Sequence, residues 1–147
     1  MDIERIDPGL RAATLRAPRL KLENRLTLWL VARLSRLARG RRIAGVERRV
    51  VEDRGVRVRV YTPGTPSGAG LLWIHGGGLV LGSAALDDRT CAETARETGA
   101  VVVSVDYRLA PKHPFPAAID DCSAAFEWLR HHAPELGIDP GRLAVGG

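Results

Sequence analysis

The sequence predicts an α/β domain with a mainly parallel sheet. Two apolar segments, at residues 71–74 and 101–105, have the length and branching of strands that are buried on both faces. Helical segments at 87–98 and 117–132 separate these strands from each other and from a third strand at 142–145. Strands that alternate with helices in this order imply right-handed βαβ crossovers, and therefore parallel pairing.

The N-terminal part predicts helices rather than strands. Residues 1–18 are expected to form an arm with one short helix, and residues 19–39 an amphipathic helix that ends near Gly40. Such an apolar stripe indicates packing against the domain, and it is also compatible with one wall of a lid over an apolar pocket. We therefore expect two units, an N-terminal arm with a cap helix at 1–45 and an α/β domain at 46–147. The stripe consists of Leu22, Leu26, Trp29, Leu30, Leu34 and Leu37.

Residues 46–61 predict an antiparallel pair of strands. Valine alternates with charged residues over this segment, and Gly55 provides a turn between the two halves. A period of two residues is typical of strands with one face in solvent. The segment 63–70 is rich in Pro, Gly, Ser and Thr and predicts a surface loop.

A run of glycines follows the first buried strand directly. His75 is followed by Gly76, Gly77 and Gly78, where the absence of a Cβ lets successive backbone N–H groups point into a cleft. Such a turn suits a phosphate or the oxyanion of an acyl-transfer intermediate, or it is only a tight connection. A dinucleotide-binding loop is disfavoured because its third glycine is one residue late, at Gly82.

Composition limits the class of protein. A chain of 147 residues with 45% apolar and 27% charged residues is typical of one globular domain. Cys91 and Cys122 show neither metal-ligand spacing nor a disulfide framework, so we expect no metal site and a reducing, cytoplasmic location. The sequence shows no signal peptide and no apolar run of membrane-spanning length, so we expect no stable membrane insertion.

The positive charge is concentrated at the N-terminus. Residues 1–49 contain 13 Lys and Arg against 5 Asp and Glu, whereas the remainder contains 9 against 12. A basic segment is compatible with nucleic acid or an anionic membrane surface. The arginines are scattered, however, and no aromatic residues lie between them for base stacking. The pattern favours a solvated helix face, and we expect no nucleic-acid partner.

Three stretches carry the most specific signal. They read His-Gly-Gly-Gly at 75–78, Asp-Tyr-Arg-Leu-Ala-Pro at 106–111 with His-Pro-Phe-Pro-Ala-Ala at 113–118, and Asp-Pro-Gly-Arg-Leu-Ala-Val-Gly-Gly at 139–147. In this order and spacing the chain resembles the hormone-sensitive-lipase-like esterases, which have the α/β-hydrolase fold. The resemblance covers roughly residues 20–147, the N-terminal half of such an enzyme. Within it, Leu79 replaces a common aromatic residue and Lys112 replaces a common Glu.

This resemblance implies hydrolysis of small carboxylic esters by a Ser-His-Asp/Glu triad, without metal or organic cofactor. The N–H groups of Gly77 and Gly78 would bind the oxyanion, Gly76 would support the turn, and His75 would orient it. Gly147 would be the first residue of the Gly-x-Ser-x-Gly elbow. The nucleophile, acid and base are then expected beyond residue 147, and the chain alone is expected to be inactive. Ser35, Ser67, Ser83, Ser104 and Ser123 all lack the elbow context.

Other charged residues have two interpretations each. Asp106 and Arg108 could be a catalytic pair, but the pattern favours a buried ion pair that fixes the Pro-rich loop, with Asp88 in the same network. His113, His131 and His132 are expected to be structural or solvated.

A remnant without catalysis, acting as a binding module, is the competing class of function, and a nucleotide-binding domain is a third.

Overall fold

The computed structural model of the chain describes residues 4, 6–16, 27, 30, 31, 33, 43–53 and 55–147. The helix predicted at 19–39 lies largely outside the described residues; Thr27, Leu30, Val31 and Arg33, which are described, are helical. The short helix expected in the arm is α1, and none of its nine residues is buried. The elements are α1 (Pro8–Arg16), β1 (Val46–Asp53), β2 (Val56–Pro63), β3 (Gly70–Ile74), a 3₁₀ turn (Ala84–Asp87), α2 (Asp88–Thr98), β4 (Val101–Val105), α3 (Ala117–His132) and β5 (Leu143–Gly146).

Five strands form one sheet in the order β1-β2-β4-β3-β5. β3 pairs in parallel with β4 on one side and with β5 on the other, as the βαβ pattern predicts. β1 and β2 form the predicted antiparallel hairpin, and β2 continues antiparallel onto β4. The α/β architecture predicted from the sequence is confirmed.

Helices cover both faces of the sheet, which explains why β4 is apolar at nearly every position. On one face Val101, Val103 and Val105 pack in a core with Trp128 and Leu129 of α3. On the other face Val102 packs with small residues of α2, which include Cys91 and Ala95. All five residues of β4 are buried. Because both faces of β4 are buried, apolar side chains are favourable at successive positions, not only at every second one.

The two outer strands of the sheet differ in chemistry. β1 carries the exposed charged side chains of Glu47, Arg49 and Glu52, which disfavour pairing with another chain. β5 has the sequence Leu-Ala-Val-Gly without a charge, and its Val145 is 56% exposed. Among the helices of the described residues, none is long and apolar enough to cross a membrane.

Parallel pairing brings the carboxyl ends of β3, β4 and β5 to one edge of the sheet. The glycine turn, defined here as residues 75–82, follows β3 at this edge. The segment that begins at Asp106 follows β4, and Gly147 follows β5. This edge is where parallel α/β sheets place their ligand sites.

Candidate functional site

The glycine turn has a buried start and an exposed centre. His75 is 4% exposed, whereas Gly76, Gly77 and Gly78 are all exposed. Gly77 has φ +127° and Gly78 has φ +61°. A Cβ on Gly77 would lie 2.2 Å from the carbonyl oxygen of Leu81, which is far inside van der Waals contact. The chain can therefore reverse at Gly77 only with glycine.

Internal hydrogen bonds hold the carbonyl oxygens of this turn. The oxygen of Gly76 accepts a 2.9 Å hydrogen bond from Nδ1 of His75, so Nδ1 carries the proton. The oxygen of Gly77 accepts hydrogen bonds from the N–H groups of Val80 and Leu81, at 3.2 and 3.0 Å. Each of these carbonyl groups therefore has a fixed direction.

The carbonyl directions determine where the glycine N–H groups point. In a trans peptide the C=O and the following N–H point in opposite directions. The N–H groups of Gly77 and Gly78 therefore point away from the groups that hold the oxygens of Gly76 and Gly77. Within the described part of the chain, neither N–H donates a hydrogen bond. Two donors on exposed glycines, without an internal acceptor, are suited to bind an anionic oxygen.

Tyr107 holds the start of the turn. Its ring stacks on the His75 imidazole, with centroids 4.1 Å apart and an interplanar angle of 10°. Its hydroxyl donates a 2.7 Å hydrogen bond to the carbonyl oxygen of His75. Burial raises the pKa of Tyr107 to about 12, so the hydroxyl remains a donor at neutral pH. The Nε2 atom of His75 is buried and has no partner among the described residues.

Gly82 closes the turn against its own beginning. A Cβ at this position would lie 2.6 Å from the oxygen of Gly76 and 2.8 Å from Nδ1 of His75. The close approach of the backbone therefore requires glycine at position 82 as well. Gly82, whose position in the sequence disfavours a dinucleotide-binding loop, is thus needed for close packing against His75.

A buried charge cluster anchors the segment that follows the turn. Asp88, the first residue of α2, is 1% exposed and accepts hydrogen bonds from Arg48, Arg59 and the hydroxyl of Tyr61. Burial, and secondly the bond to Asp88, raise the pKa of Tyr61 far above its usual value. The cluster ties the start of α2 to the β1–β2 hairpin. Asp88 therefore does not share a network with Asp106 and Arg108, and this prediction is wrong.

The predicted ion pair between Asp106 and Arg108 is also wrong. Arg108 instead forms a two-pronged pair with Asp121 of α3, with its Nη2 atom 2.7 Å from Oδ1, and its side chain is 51% exposed. Asp106 accepts a 3.2 Å hydrogen bond from the N–H of Ala84 and lies 3.8 Å from Arg57. The prediction assumed that both charges are buried and need each other, but both reach solvent and find other partners.

The hydrogen bonds to Asp121 also change its ionisation. Burial alone would raise the pKa of this carboxyl, but the hydrogen bonds from the side chain and backbone N–H of Arg108 hold the pKa below its usual value. The hydrogen bond to Asp121, and secondly the charge of that carboxylate, in turn raise the pKa of Arg108. The pair links the segment after β4 to the first turns of α3.

Gly147, the expected first residue of the elbow, lies close to the start of the glycine turn. A Cβ on Gly147 would lie 2.2 Å from the carbonyl oxygen of Ile74, so the end of β5 touches the end of β3 immediately before His75. His131 and His132 instead line a cleft of about 620 Å³ between the hairpin and α3, and the ring of His132 stacks on Trp128. Within the described ranges, no group of three or more His, Cys, Asp or Glu could hold a metal ion.

Sequence reasoning missed several residues that position the site. Tyr107 lies in a motif that carried the resemblance, yet nothing in the spacing indicates that it stacks on His75. Arg48 lies among charged residues and Arg59 alternates with valines in the hairpin, a pattern that equally fits a solvated face. Nothing near Tyr61 in the sequence indicates its role. The sequence offered one signal for these residues, which is Asp88 at the predicted start of a helix. A carboxylate that is buried at this position needs basic partners.

Comparison with known proteins finds a matching family model and similar sequences and structures. A family model described as alpha/beta hydrolase fold matches residues 71–147. Esterase LipI and carboxylesterase NlhH, both of Mycobacterium tuberculosis, are 48% and 47% identical over 96 and 94 residues. Each alignment covers 63% of this chain and 30% of the relative.

A solved structure gives the same picture over nearly the whole chain. The structure titled Bacterial Heroin Esterase is 38% identical, with a TM-score of 0.83, and the match covers 99% of this chain and 49% of that one. The chain therefore spans about half the length of this solved structure, and less than a third of the two curated relatives is aligned with it.

Proposed function

Because the chain belongs to the alpha/beta hydrolase fold family, we propose that it provides the oxyanion-binding half of a carboxylic ester hydrolase. The observation that carries the proposal is the pair of N–H groups on the exposed residues Gly77 and Gly78, which donate to no group of the described chain and whose peptide oxygens are held inside the turn. The substrate class is a small-molecule acyl ester, in line with the names of the esterase relatives.

The proposed chemistry is acyl transfer through a serine. Attack of the serine oxygen on the acyl carbon turns the carbonyl oxygen into an anion, which the two glycine N–H groups stabilise. A histidine takes the serine proton and passes it to the departing alcohol, and water then releases the acid in a second cycle. The loss of one such donor costs on the order of 10²–10³ in rate.

The serine, histidine and acid of this mechanism would follow Gly147 in sequence. Gly147 lies against Ile74, at the edge of the sheet that carries the glycine turn. A serine two residues further on, as in a Gly-x-Ser-x-Gly elbow, would emerge next to the glycine N–H groups. The position of Gly147 therefore supports the assignment of the elbow.

His75 has a supporting role in this proposal. Its Nδ1 is engaged with the oxygen of Gly76 and its ring is buried against Tyr107. A general base must reach the proton that it removes, and a buried, stacked ring does not reach an exposed nucleophile. We assign His75 to orienting the Gly76–Gly77 peptide.

The experiment is to complete the chain with the downstream half of a relative. Residues 1–147 are joined to the part of carboxylesterase NlhH that follows its matching segment, and hydrolysis of p-nitrophenyl butyrate is measured. We expect saturable hydrolysis that is lost when the elbow serine is replaced by alanine. Residues 1–147 alone should hydrolyse the ester no faster than an unrelated protein.

A joined chain that melts cooperatively but hydrolyses only at background rate would contradict the proposal. It would favour a binding module without catalysis. Nucleotide binding is disfavoured on separate grounds, since α2 begins ten residues after Gly78 and carries Asp88 at its N-terminus, where a phosphate would need a positive field.

A further inference from the structure

We propose that Tyr107 is a positioning residue of the glycine turn, and that it acts through His75. The inference rests on the proposed function, because it concerns the N–H groups that would bind the oxyanion. Tyr107 touches none of these N–H groups and would not contact the substrate. It fixes the residue whose imidazole determines the direction of the Gly76–Gly77 peptide.

Three successive peptide oxygens of the turn are each held by an internal donor. The oxygen of His75 accepts from the Tyr107 hydroxyl, and the oxygen of Gly76 accepts from Nδ1 of His75. The oxygen of Gly77 accepts from the N–H groups of Val80 and Leu81. Tyr107 supplies the first of these bonds directly, and its stacked ring fixes the imidazole that supplies the second.

The two contacts of Tyr107 limit different motions. Stacking at 4.1 Å with nearly parallel planes limits the tilt of the His75 ring. The hydroxyl bond limits rotation of the peptide between His75 and Gly76. Glycine has few steric barriers to backbone rotation, so the conformation of the residues after His75 depends on such contacts with other residues. Without Tyr107, Gly77 could rotate its N–H away from the exposed side.

The contact also joins two strands. Tyr107 lies two residues after β4 and His75 lies one residue after β3, and these strands are parallel neighbours. Both side chains are buried, at 2% and 4% exposure. The turn is therefore held against the body of the sheet.

The test uses the ¹⁵N-labelled chain and measures backbone order parameters at Gly77 and Gly78. Two variants are compared: Tyr107→Phe removes only the hydroxyl, and Tyr107→Leu removes both contacts. The matched control is Tyr61→Phe, which removes the hydrogen bond of another buried tyrosine, to Asp88, away from the turn. Thermal melts of all variants report general loss of stability.

We expect order parameters near 0.85 at both glycines in the unsubstituted chain, and below about 0.6 in Tyr107→Leu, with Tyr107→Phe between them. Tyr61→Phe should lower the melting temperature and leave both glycines near their original values. If Tyr107→Leu does not fold, lower order parameters at Gly77 and Gly78 in Tyr107→Phe support the positioning role.

Unchanged order parameters in every folded Tyr107 variant would overturn the proposal. An equal fall at both glycines in Tyr61→Phe would overturn it too, because the effect would then be general loosening. The measurement needs no hydrolysis. A joined chain without activity therefore refutes the proposed function, whereas an unaffected turn in the Tyr107 variants refutes the positioning role.

Discussion

Gly77 and Leu81 approach so closely that a Cβ on Gly77 would lie 2.2 Å from the Leu81 carbonyl oxygen. This contact closes the glycine turn on itself. It makes Gly77 necessary for a steric reason in addition to its φ of +127°. Gly76 is different, because a Cβ there meets no atom within 4 Å.

The two glycines should therefore respond differently to the same added methyl group. In the joined chain, Gly77→Ala should lower kcat/KM for p-nitrophenyl butyrate by about 10²–10³, because it displaces one oxyanion donor. The decrease in kcat/KM should be clearly smaller for Gly76→Ala, since a Cβ at position 76 projects into open space. Equal losses in the two variants would show that the steric contact with Leu81 does not govern the turn.

Asp88 should be important for stability. In Asp88→Ala, the charges of Arg48 and Arg59 and the hydroxyl of Tyr61 lose their common acceptor in a buried setting. Loss of one partner of a buried charge cluster costs about 3–5 kcal/mol, measured as the free energy of unfolding in urea. Asp121→Ala is the control, because its pair with a half-exposed Arg108 should contribute no more than about 1 kcal/mol. The same loss in both variants would contradict the argument.

The pair of Arg108 and Asp121 should make stability depend on acid pH. The pKa of Asp121 is lower in the folded chain than in the unfolded chain, so the unfolded chain takes up the proton first as pH falls. The contribution of the pair to the free energy of unfolding is complete above the pKa of Asp in the unfolded chain, about 3.9. It is lost as the pH falls through the pKa of Asp121 in the folded chain. Urea unfolding of the unsubstituted chain and Arg108→Gln should thus differ by a constant amount above about pH 5 and converge in stronger acid. A difference that grows as the pH falls would contradict this sign.

Cys91 should be inert while the chain is folded. It is 0% exposed, and burial, with the charge of Asp87 as a second cause, raises its pKa to about 12. At pH 8 the thiolate fraction is then only about one in ten thousand. A thiol reagent should label the half-buried Cys122 first and Cys91 only as fast as the chain unfolds. Rapid labelling of Cys91 without denaturant, read by mass spectrometry of its peptide, would contradict the buried position.

The outer edge of β5 should promote self-association of residues 1–147. Within the described residues β5 pairs only with β3, and its sequence has no charge to prevent pairing with another chain. Val145→Lys should therefore lower the oligomeric fraction in sedimentation velocity. Val50→Lys is the matched control, because Val50 is 51% exposed on β1, which already carries charged side chains. Equal effects of the two lysines would indicate a general charge effect.

Local patterns in the sequence were sufficient to predict most of the elements. β4 and α3 begin and end at the predicted residues, 101–105 and 117–132, and β5 is displaced by one residue. These elements follow from periods of apolar residues and from Gly and Pro at their ends, which act over a few neighbouring positions. The order of strand and helix also predicted the parallel arrangement of β3, β4 and β5.

The glycine turn shows the limit of this local reasoning. Its composition indicated that backbone N–H groups would be exposed, because glycine is the residue that tolerates such a conformation. Which N–H groups point outward depends on which oxygens are held inside. That depends on His75 and Tyr107, which are 32 residues apart in sequence and meet only after β3 pairs with β4.

The partners of Asp88, Asp106 and Arg108 were decided by the tertiary structure. Asp106 and Arg108 are two residues apart, and proximity in sequence suggested a pair. The folded chain instead brings α3 to Arg108, so that Asp121 offers it both carboxylate oxygens. Asp88 finds its arginines about 30 to 40 residues earlier, because β1 and β2 lie beside the start of α2. Charges pair by distance in space and by the exposure of each group, and both are set by the packing of whole elements.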